Sequence, residues 1–216
     1  MALFAIIGLG SFGTTIATEL MRLDHDVIGI DTEKKYVENI SNKITHAVIA
    51  DATDEHVLEE LNIQNCEAVI VAIGENIEAS ILCVLNLKNL GVTKIWAKAK
   101  TKSHHTILSH LNIEKIIHPE EDMGIRIAQS LNYPMVSRYM SLSDDHFIVQ
   151  IPIQENFFQD NIIKNIYRFP EVKILLVKRF KDVFYTIDRD FPLAEGDTLI
   201  LEGPLAKLKI ICELMI

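Results

Sequence analysis

The sequence predicts an α/β protein: a Rossmann-type, doubly wound parallel sheet followed by a small α+β domain. Three observations carry the prediction. Short apolar runs alternate with helix-period segments along the first part of the chain. A glycine-rich turn, Gly8-Leu9-Gly10-Ser11-Phe12-Gly13, joins the first run to the first helix, and the composition changes near residue 133. Apolar runs without in–out alternation are buried on both faces, as strands of a parallel sheet between helix layers must be. Strands and helices in regular alternation build such a sheet.

The elements follow in order. Leu3–Ile7 is the first strand, and an amphipathic helix, Thr14–Leu23, follows the glycine turn. Asp26–Ile30 is the second strand and is closed by Asp31. The third, Ala47–Ala50, runs into Asp51-Ala52-Thr53-Asp54, where Asp54 stands as N-cap to a helix over Glu55–Leu61. The fourth, Ala68–Ala72, ends in Ile73-Gly74-Glu75-Asn76. Asn76 caps a helix over Ile77–Leu90, with Gly91 behind it. Lys94–Ala99 and Lys115–Ile117 complete six strands, with a helix over His104–Leu111 that starts after Ser103.

Only Phe4, Phe12, Tyr36 and Trp96 of the aromatic residues precede residue 133, and only Gly196 and Gly203 of the glycines lie beyond residue 124. This shift, with Pro134 ending a helical pattern, places a domain boundary at Asn132-Tyr133-Pro134. The reading is an N-terminal domain over 1–133, a linker over 134–141 and a C-terminal domain over 142–216. In the last, Phe147–Ile151, Lys173–Lys178, Val183–Ile187 and Thr198–Leu201 read as strands, with helices over Gln159–Ile166 and Leu205–Leu214.

Composition excludes several function classes. The formal net charge is −9, which opposes binding to phosphate backbones and to anionic lipid. No helix-turn-helix, zinc finger or basic arm is present, so no nucleic-acid partner is expected. No apolar run approaches the roughly 20 residues of a membrane span, and the start lacks a basic leader pattern. The three cysteines, Cys66, Cys83 and Cys212, have no CxxC spacing and fit a reducing compartment. A cytoplasmic protein is expected.

The chemistry lies in the glycine turn. Gly8 permits the tight turn, Gly10 lets the backbone approach a pyrophosphate, and Gly13 packs helix against strand. The helix N-terminus offers N–H groups and partial positive charge to phosphates. Asp31, eighteen residues past Gly13, stands where a ribose hydroxyl is accepted. No arginine follows it, so NAD or an adenine nucleotide is favoured over NADP. Asp51 or Thr53 would contact the adenine; the other reading of this stretch is a helix start capped by Asp54. His104, His105 and His110 read as solvated helix residues rather than metal ligands, and Cys66 and Cys83 as inert buried thiols. In the second domain His146, Arg168, Lys178, Arg179, Asp188 and Arg189 form no recognisable acid–base or nucleophile arrangement. The nucleotide is therefore expected to be bound without being consumed, and the chain is not expected to be an enzyme. The alternative reading is a small NAD-dependent oxidoreductase or NAD(H) redox sensor.

Four stretches, Phe4–Gly13, His46–Asp54, Val71–Ser80 and His118–Gly124, resemble the Ktr/Trk potassium-uptake regulatory subunits, which carry RCK (regulator of potassium conductance) domains. The likeness runs through the whole chain in order. It implies a cytoplasmic, non-enzymatic gating subunit, peripheral on the inner face of the membrane through a potassium translocator, whose dimers assemble into an octameric ring. It implies ADP, ATP or NAD(H) in the Rossmann crevice. By position, Gly8, Gly10, Ser11, Phe12 and Gly13 would cradle phosphates and Asp31 the ribose. Asp51, Ala52, Thr53, Ile73 and Gly74 would line the nucleotide site, with Lys98 near the phosphates. Glu120 matches an acidic residue at the dimer interface, near the phosphates and a bound divalent or monovalent cation. Two departures stand out. Ser11 occupies the place of an arginine that reaches a terminal phosphate, which removes the basis for ATP-specific sensing. Around Tyr167-Arg168-Phe169-Pro170 and at Thr186-Ile187 the features of a cyclic di-AMP pocket are missing, so that ligand is not expected.

Overall fold

The computed structural model describes residues 1–132, 136–143, 145–154 and 162–214. The chain packs as two compact units, Met1–Asp122 and Met123–Ile216.

The first unit is a six-stranded, all-parallel sheet in the order β3-β2-β1-β4-β5-β6. Its strands are β1 (Leu3–Ile7), β2 (Asp26–Asp31), β3 (His46–Ile49), β4 (Ala68–Val71), β5 (Ile95–Lys98) and β6 (Lys115–Ile117). β1 lies in the middle, paired with β2 on one edge and β4 on the other. Its Ala5, Ile6 and Ile7 are buried because helices cover both faces. One layer packs Ile7, Val69, Val71, Val84, Leu87 and Leu108; the other packs Ile6, Leu9, Ala17, Val37 and Ile40. The chain reverses direction in the sheet at β1, where β2 turns one way and β4 the other. Doubly wound sheets open a crevice beyond the carboxyl ends of their strands at such a point.

The helices are α1 (Ser11–Arg22), α2 (Lys34–Ile40), α3 (Glu55–Glu60), α4 (Ile77–Asn89), α5 (Lys102–His110) and α6 (Pro119–Asn132). Asp54 caps α3 through the His56 N–H (3.0 Å) and Asn76 caps α4 through the Ala79 N–H (3.0 Å). Helix α5 departs from expectation: Thr101, not Ser103, is its cap, accepting the His104 N–H at 3.1 Å. The expectation of solvated histidines fails at His104, which is buried with Nδ1 accepting the Lys100 N–H. Its ring lies on the side of α5 that carries Leu108 into the core. Helix α2 was not foreseen, because seven residues with two buried positions give little periodicity.

The second unit carries an antiparallel sheet in the order β10-β9-β11-β8-β7. These are β7 (Arg138–Ser141), β8 (His146–Pro152), β9 (Lys173–Arg179), β10 (Asp182–Phe184) and β11 (Thr198–Pro204), with helices α7 (Ile162–Ile166) and α8 (Leu205–Glu213). Phe147, Val149, Ile151, Leu199 and Leu201 alternate inward and pack with Ile163, Ile166, Leu208 and Ile211. Three expectations meet differences here. The stretch 134–141 assigned to a linker contains β7, which pairs with β8 from Arg138↔Gln150 to Ser141↔Phe147. The strand expected over Val183–Ile187 ends at Phe184, since Ile187 turns into the core and its carbonyl accepts the Tyr167 hydroxyl. The expected start of the helix at Gln159 lies outside the described residues. Buried Asp197 accepts Arg179 Nε at 2.7 Å and a second guanidinium N–H at 2.8 Å, and also the Ala194 N–H at 2.8 Å. Arg179, one of the second-domain residues that form no catalytic arrangement in the sequence, thus holds the loop before β11. No helix among the described residues is long and apolar enough to cross a membrane.

Candidate functional site

A crevice of about 690 Å³ opens at the carboxyl ends of β1, β2, β3 and β4. That volume is in the range of small-molecule and cofactor sites. Its floor is the glycine turn. Gly8 has φ +95°, a conformation that a side chain resists, and its N–H donates to the Ile30 carbonyl at 2.8 Å. An added Cβ on Gly13 would sit 1.9 Å from the Gly8 carbonyl oxygen, so only glycine lets α1 start this close to the turn. An added Cβ on Gly10 meets nothing within 4 Å, so the space above Gly10 is open. Gly10 is the N-cap of α1 and no side chain caps this helix. The N-terminal N–H groups of α1 therefore remain available to an anion.

Asp31, at the end of β2, does more than the sequence suggests. Its Oδ2 accepts the Leu9 N–H at 2.6 Å and its Oδ1 accepts the Glu33 N–H at 2.8 Å. One carboxylate thus fixes the glycine turn and the β2–α2 corner together, and each oxygen keeps lone-pair capacity for a ligand hydroxyl. Asp51 is tied similarly: Oδ1 accepts both the N–H (2.9 Å) and the hydroxyl (2.8 Å) of Thr53. The Thr53 carbonyl in turn accepts the Asn86 side-chain amide at 2.8 Å, a strut from α4 that no sequence pattern announced.

Of the residues singled out from sequence, Gly8, Gly10, Asp31, Asp51, Ala52, Thr53, Ile73 and Gly74 line the crevice. Ser11, Phe12 and Gly13 form the first turn of α1. Lys98 and Glu120 stand at its margin as an ion pair, Lys98 largely buried and Glu120 exposed. Lys98 Nζ lies 5.9 Å from the Phe12 ring centroid, and would be 3.1 Å from a Cβ on Gly74. The hydrogen bond from Lys98 holds the Glu120 carboxyl below its ordinary range. A parallel pair joins Lys100 to Glu75. Thr32, Glu33 and Tyr36 line the crevice as well and were missed. The acid after Asp31 was the available signal for Glu33.

Within one chain Glu120 stands without further carboxylate, histidine or cysteine partners placed to hold a cation, among the described residues. It supplies one carboxylate, that carboxylate is taken by Lys98, and no group of three or more His, Cys, Asp or Glu placed to hold a metal occurs among the described residues. The thiols are equally unengaged: burial pushes Cys66 and Cys212 up to about 11 and Cys83 up to about 12, so all three are protonated at neutral pH.

Residues 4–119 match the TrkA-N domain family, more than half of the chain. The chain belongs to this family. It is 41% identical over 207 residues to Ktr system potassium uptake protein A of Bacillus subtilis, covering 95% of this chain and 93% of the relative. To the protein of the same description from Vibrio alginolyticus it is 30% identical over 209 residues, covering 95% and 94%. Among solved structures the RCK domain of GsuK superposes with a TM-score of 0.66 at 18% identity, over 99% of this chain and 47% of that longer one. A structure described as the GsuK channel bound to NAD matches with a TM-score of 0.61 at 18% identity, over 99% and 39%. The structural matches agree with the fold expected from sequence, a Rossmann-type RCK domain with a small α+β domain behind it.

Proposed function

We propose that this chain is the nucleotide-responsive regulatory subunit of a potassium uptake system, acting on a membrane-embedded translocator from the cytoplasmic side. The observation that carries the reading is the crevice: an open glycine turn and uncapped α1 on one side, Asp31 and the Asp51–Thr53 loop on the other. Its kinship with Ktr potassium uptake proteins supplies the biological setting.

The geometry supports an adenine nucleotide or NAD(H) lying across the sheet's carboxyl edge. The pyrophosphate sits over Gly10 at the α1 N-terminus, where N–H groups and the helix dipole compensate charge. Asp31 accepts ribose hydroxyls, and Glu33 beside it repels a 2′-phosphate. The adenine is received between Ile73 and the Asp51–Thr53 loop, which Asn86 braces. Lys98 supplies the full positive charge nearest the phosphates. Ser11 offers a hydroxyl and no charge, so the site has no built-in preference for a third phosphate.

Regulation rather than turnover fits the state of the polar residues. Asp31, Asp51, Asp54 and Asn76 are each committed to backbone N–H groups that hold turns and helix starts. Bound nucleotide would stiffen this corner, and homo-oligomeric assembly, dimers closing into an octameric ring, would carry the change to the translocator. Calorimetry with ADP, ATP, NAD⁺ and NADH, followed by potassium flux in vesicles holding the translocator with and without this chain, tests the proposal. Binding at the crevice with nucleotide-dependent flux is expected. Flux indifferent to the chain would overturn the regulatory reading.

A further inference from the structure

Two imidazoles meet end to end at the corner between α5 and α6. His105 is exposed on α5 and His118 half-buried between β6 and α6. His105 Nδ1 and His118 Nε2 share a hydrogen bond of 2.8 Å. His118 is also the residue from which α6 departs: its carbonyl accepts the Asp122 N–H at 2.9 Å. Two residues on, Glu120 pairs with Lys98 at the margin of the crevice. The ring contact therefore fixes the place where α6 and Glu120 begin.

Such a bond holds one proton between two nitrogens. One extra proton leaves it intact, because a charged ring then donates to a neutral one. A second puts an N–H on both facing nitrogens and turns the attraction into repulsion between two cations in contact. The surroundings sharpen that outcome. His105 lies early in α5 and His118 at the start of α6, and helix N-termini disfavour positive charge. Beside them His104 is buried, with Nδ1 accepting the Lys100 N–H at 3.3 Å and Nε2 without a partner among the described residues. Burial, and then the charge on His118, hold the His104 pKa below the ordinary histidine range.

Nearby charges do not rescue a doubly charged pair. On α6, Glu121 Oε2 is 3.9 Å from His118 Nδ1, beyond hydrogen-bonding reach, and balances one charge at most. Lys100, before α5, is taken by Glu75, and Lys88 of α4 by the Leu111 and Asn112 carbonyls. Lys115 of β6 lies over the Trp96 ring. On α5, Lys102 brings further positive charge, and His110 turns to the Thr106 carbonyl.

We propose that the His105–His118 pair is an acid-operated latch on the α5–α6 corner. It is closed while the two rings carry at most one extra proton. It opens when both are charged, so that the first turn of α6 loosens and Glu120 leaves Lys98. Falling pH thereby alters the margin of the crevice.

Amide exchange of the full-length chain tests this, followed by mass spectrometry over Glu120–Met123 and corrected for the pH dependence of the exchange chemistry. The range is about pH 7.5 to 5, which histidine spans. Protection should fall about tenfold on acidification, the worth of one hydrogen bond to a charged group. His105→Asn and His118→Gln keep a donor and an acceptor at the contact without titrating, so each should hold its protection through the whole range. His105→Ala should show at the neutral end as little protection as the parent shows at the acid end. His110→Asn should respond as the parent does. Circular dichroism establishes that each variant is folded, and His118→Gln decides alone if His105→Asn is not. Protection of the parent that acid leaves unchanged, or an acid response that survives in His105→Asn and His118→Gln, would overturn the inference. Neither result depends on nucleotide binding at the crevice.

Discussion

Alanine at two glycines of one turn should produce opposite results. On Gly13 the new methyl carbon falls 1.9 Å from the Gly8 carbonyl oxygen, where carbon and oxygen ordinarily keep about 3.3 Å. Neither partner is the free end of a side chain. Gly8 is held at φ +95° with its N–H on Ile30, and α1 is anchored by buried Ala17. Helix and turn must separate by more than an ångström, an overpacking cost of about 3 kcal/mol. Alanine's better helix propensity returns about 1 kcal/mol, for a net loss of about 2 kcal/mol. On Gly10 the same methyl meets nothing within 4 Å, and φ is −63°, which alanine adopts freely. Stability should therefore change by less than about 1 kcal/mol, the weaker N-cap being offset by a stiffer unfolded chain. The methyl enters the space read as the pyrophosphate seat, so nucleotide affinity should fall by about 1.4 kcal/mol, or tenfold, or more. Urea unfolding followed by the fluorescence of Trp96, the single tryptophan and part of β5 in the same unit, measures the first effect; calorimetry with ADP measures the second. A Gly13→Ala midpoint equal to the parent's would refute the packing argument. Unchanged ADP binding by Gly10→Ala would mean that the phosphates do not cross this turn.

Asp31→Ala should weaken ADP and NAD⁺ by about 1.5–3 kcal/mol and also loosen the glycine turn, since the Leu9 and Glu33 N–H groups lose their acceptor; amide exchange at both positions should rise. Ser11→Arg adds a bidentate partner for a terminal phosphate and should shift preference from ADP toward ATP by about 1–2 kcal/mol, read by competition binding. In the second unit, Asp197→Asn should lower stability by about 3 kcal/mol, because the loop that Arg179 clamps loses its charge partner; urea unfolding by far-ultraviolet circular dichroism reads it. Glu120 has a lowered pKa in the folded chain, so the stability that it contributes is present above its unfolded value and lost as pH falls through the folded one. Lys98→Met should remove that part of the acid sensitivity, visible as a flatter stability–pH curve below pH 5 on the Trp96 signal.

The βα rhythm was legible because both-face burial leaves unbroken apolar runs, and a four-residue run such as Ala68–Val71 is wholly buried. The caps at Asp54 and Asn76 were legible because a side-chain acceptor there is a local matter. The crevice floor was legible for the same reason: strand, glycines and helix are contiguous. What escaped depends on contacts distant in sequence. Asn86 reaches Thr53 across thirty-three positions, and Lys98 reaches Glu120 across twenty-two. Strand β7 escaped because its pattern, one half-buried residue among exposed ones, gains definition only from β8 beside it. Thr101 displaced Ser103 as a cap because the burial of His104 fixes where α5 begins.

The central place of β1 also sets the order in which the chain is able to fold as it is made. Its first edge finds β2 about twenty residues later, but its second edge waits for β4 at Ala68–Val71. At synthesis rates of about 5–20 residues per second, that edge, with Ala5, Ile6 and Ile7 behind it, stands open for roughly 3–12 s. In that interval the nascent strands that precede β4 present an unpaired apolar edge at β1, the kind of surface on which chains aggregate. Synonymous codons that slow translation between α2 and β4 should therefore lower the soluble yield of this protein without changing the stability of the molecules that reach the native state.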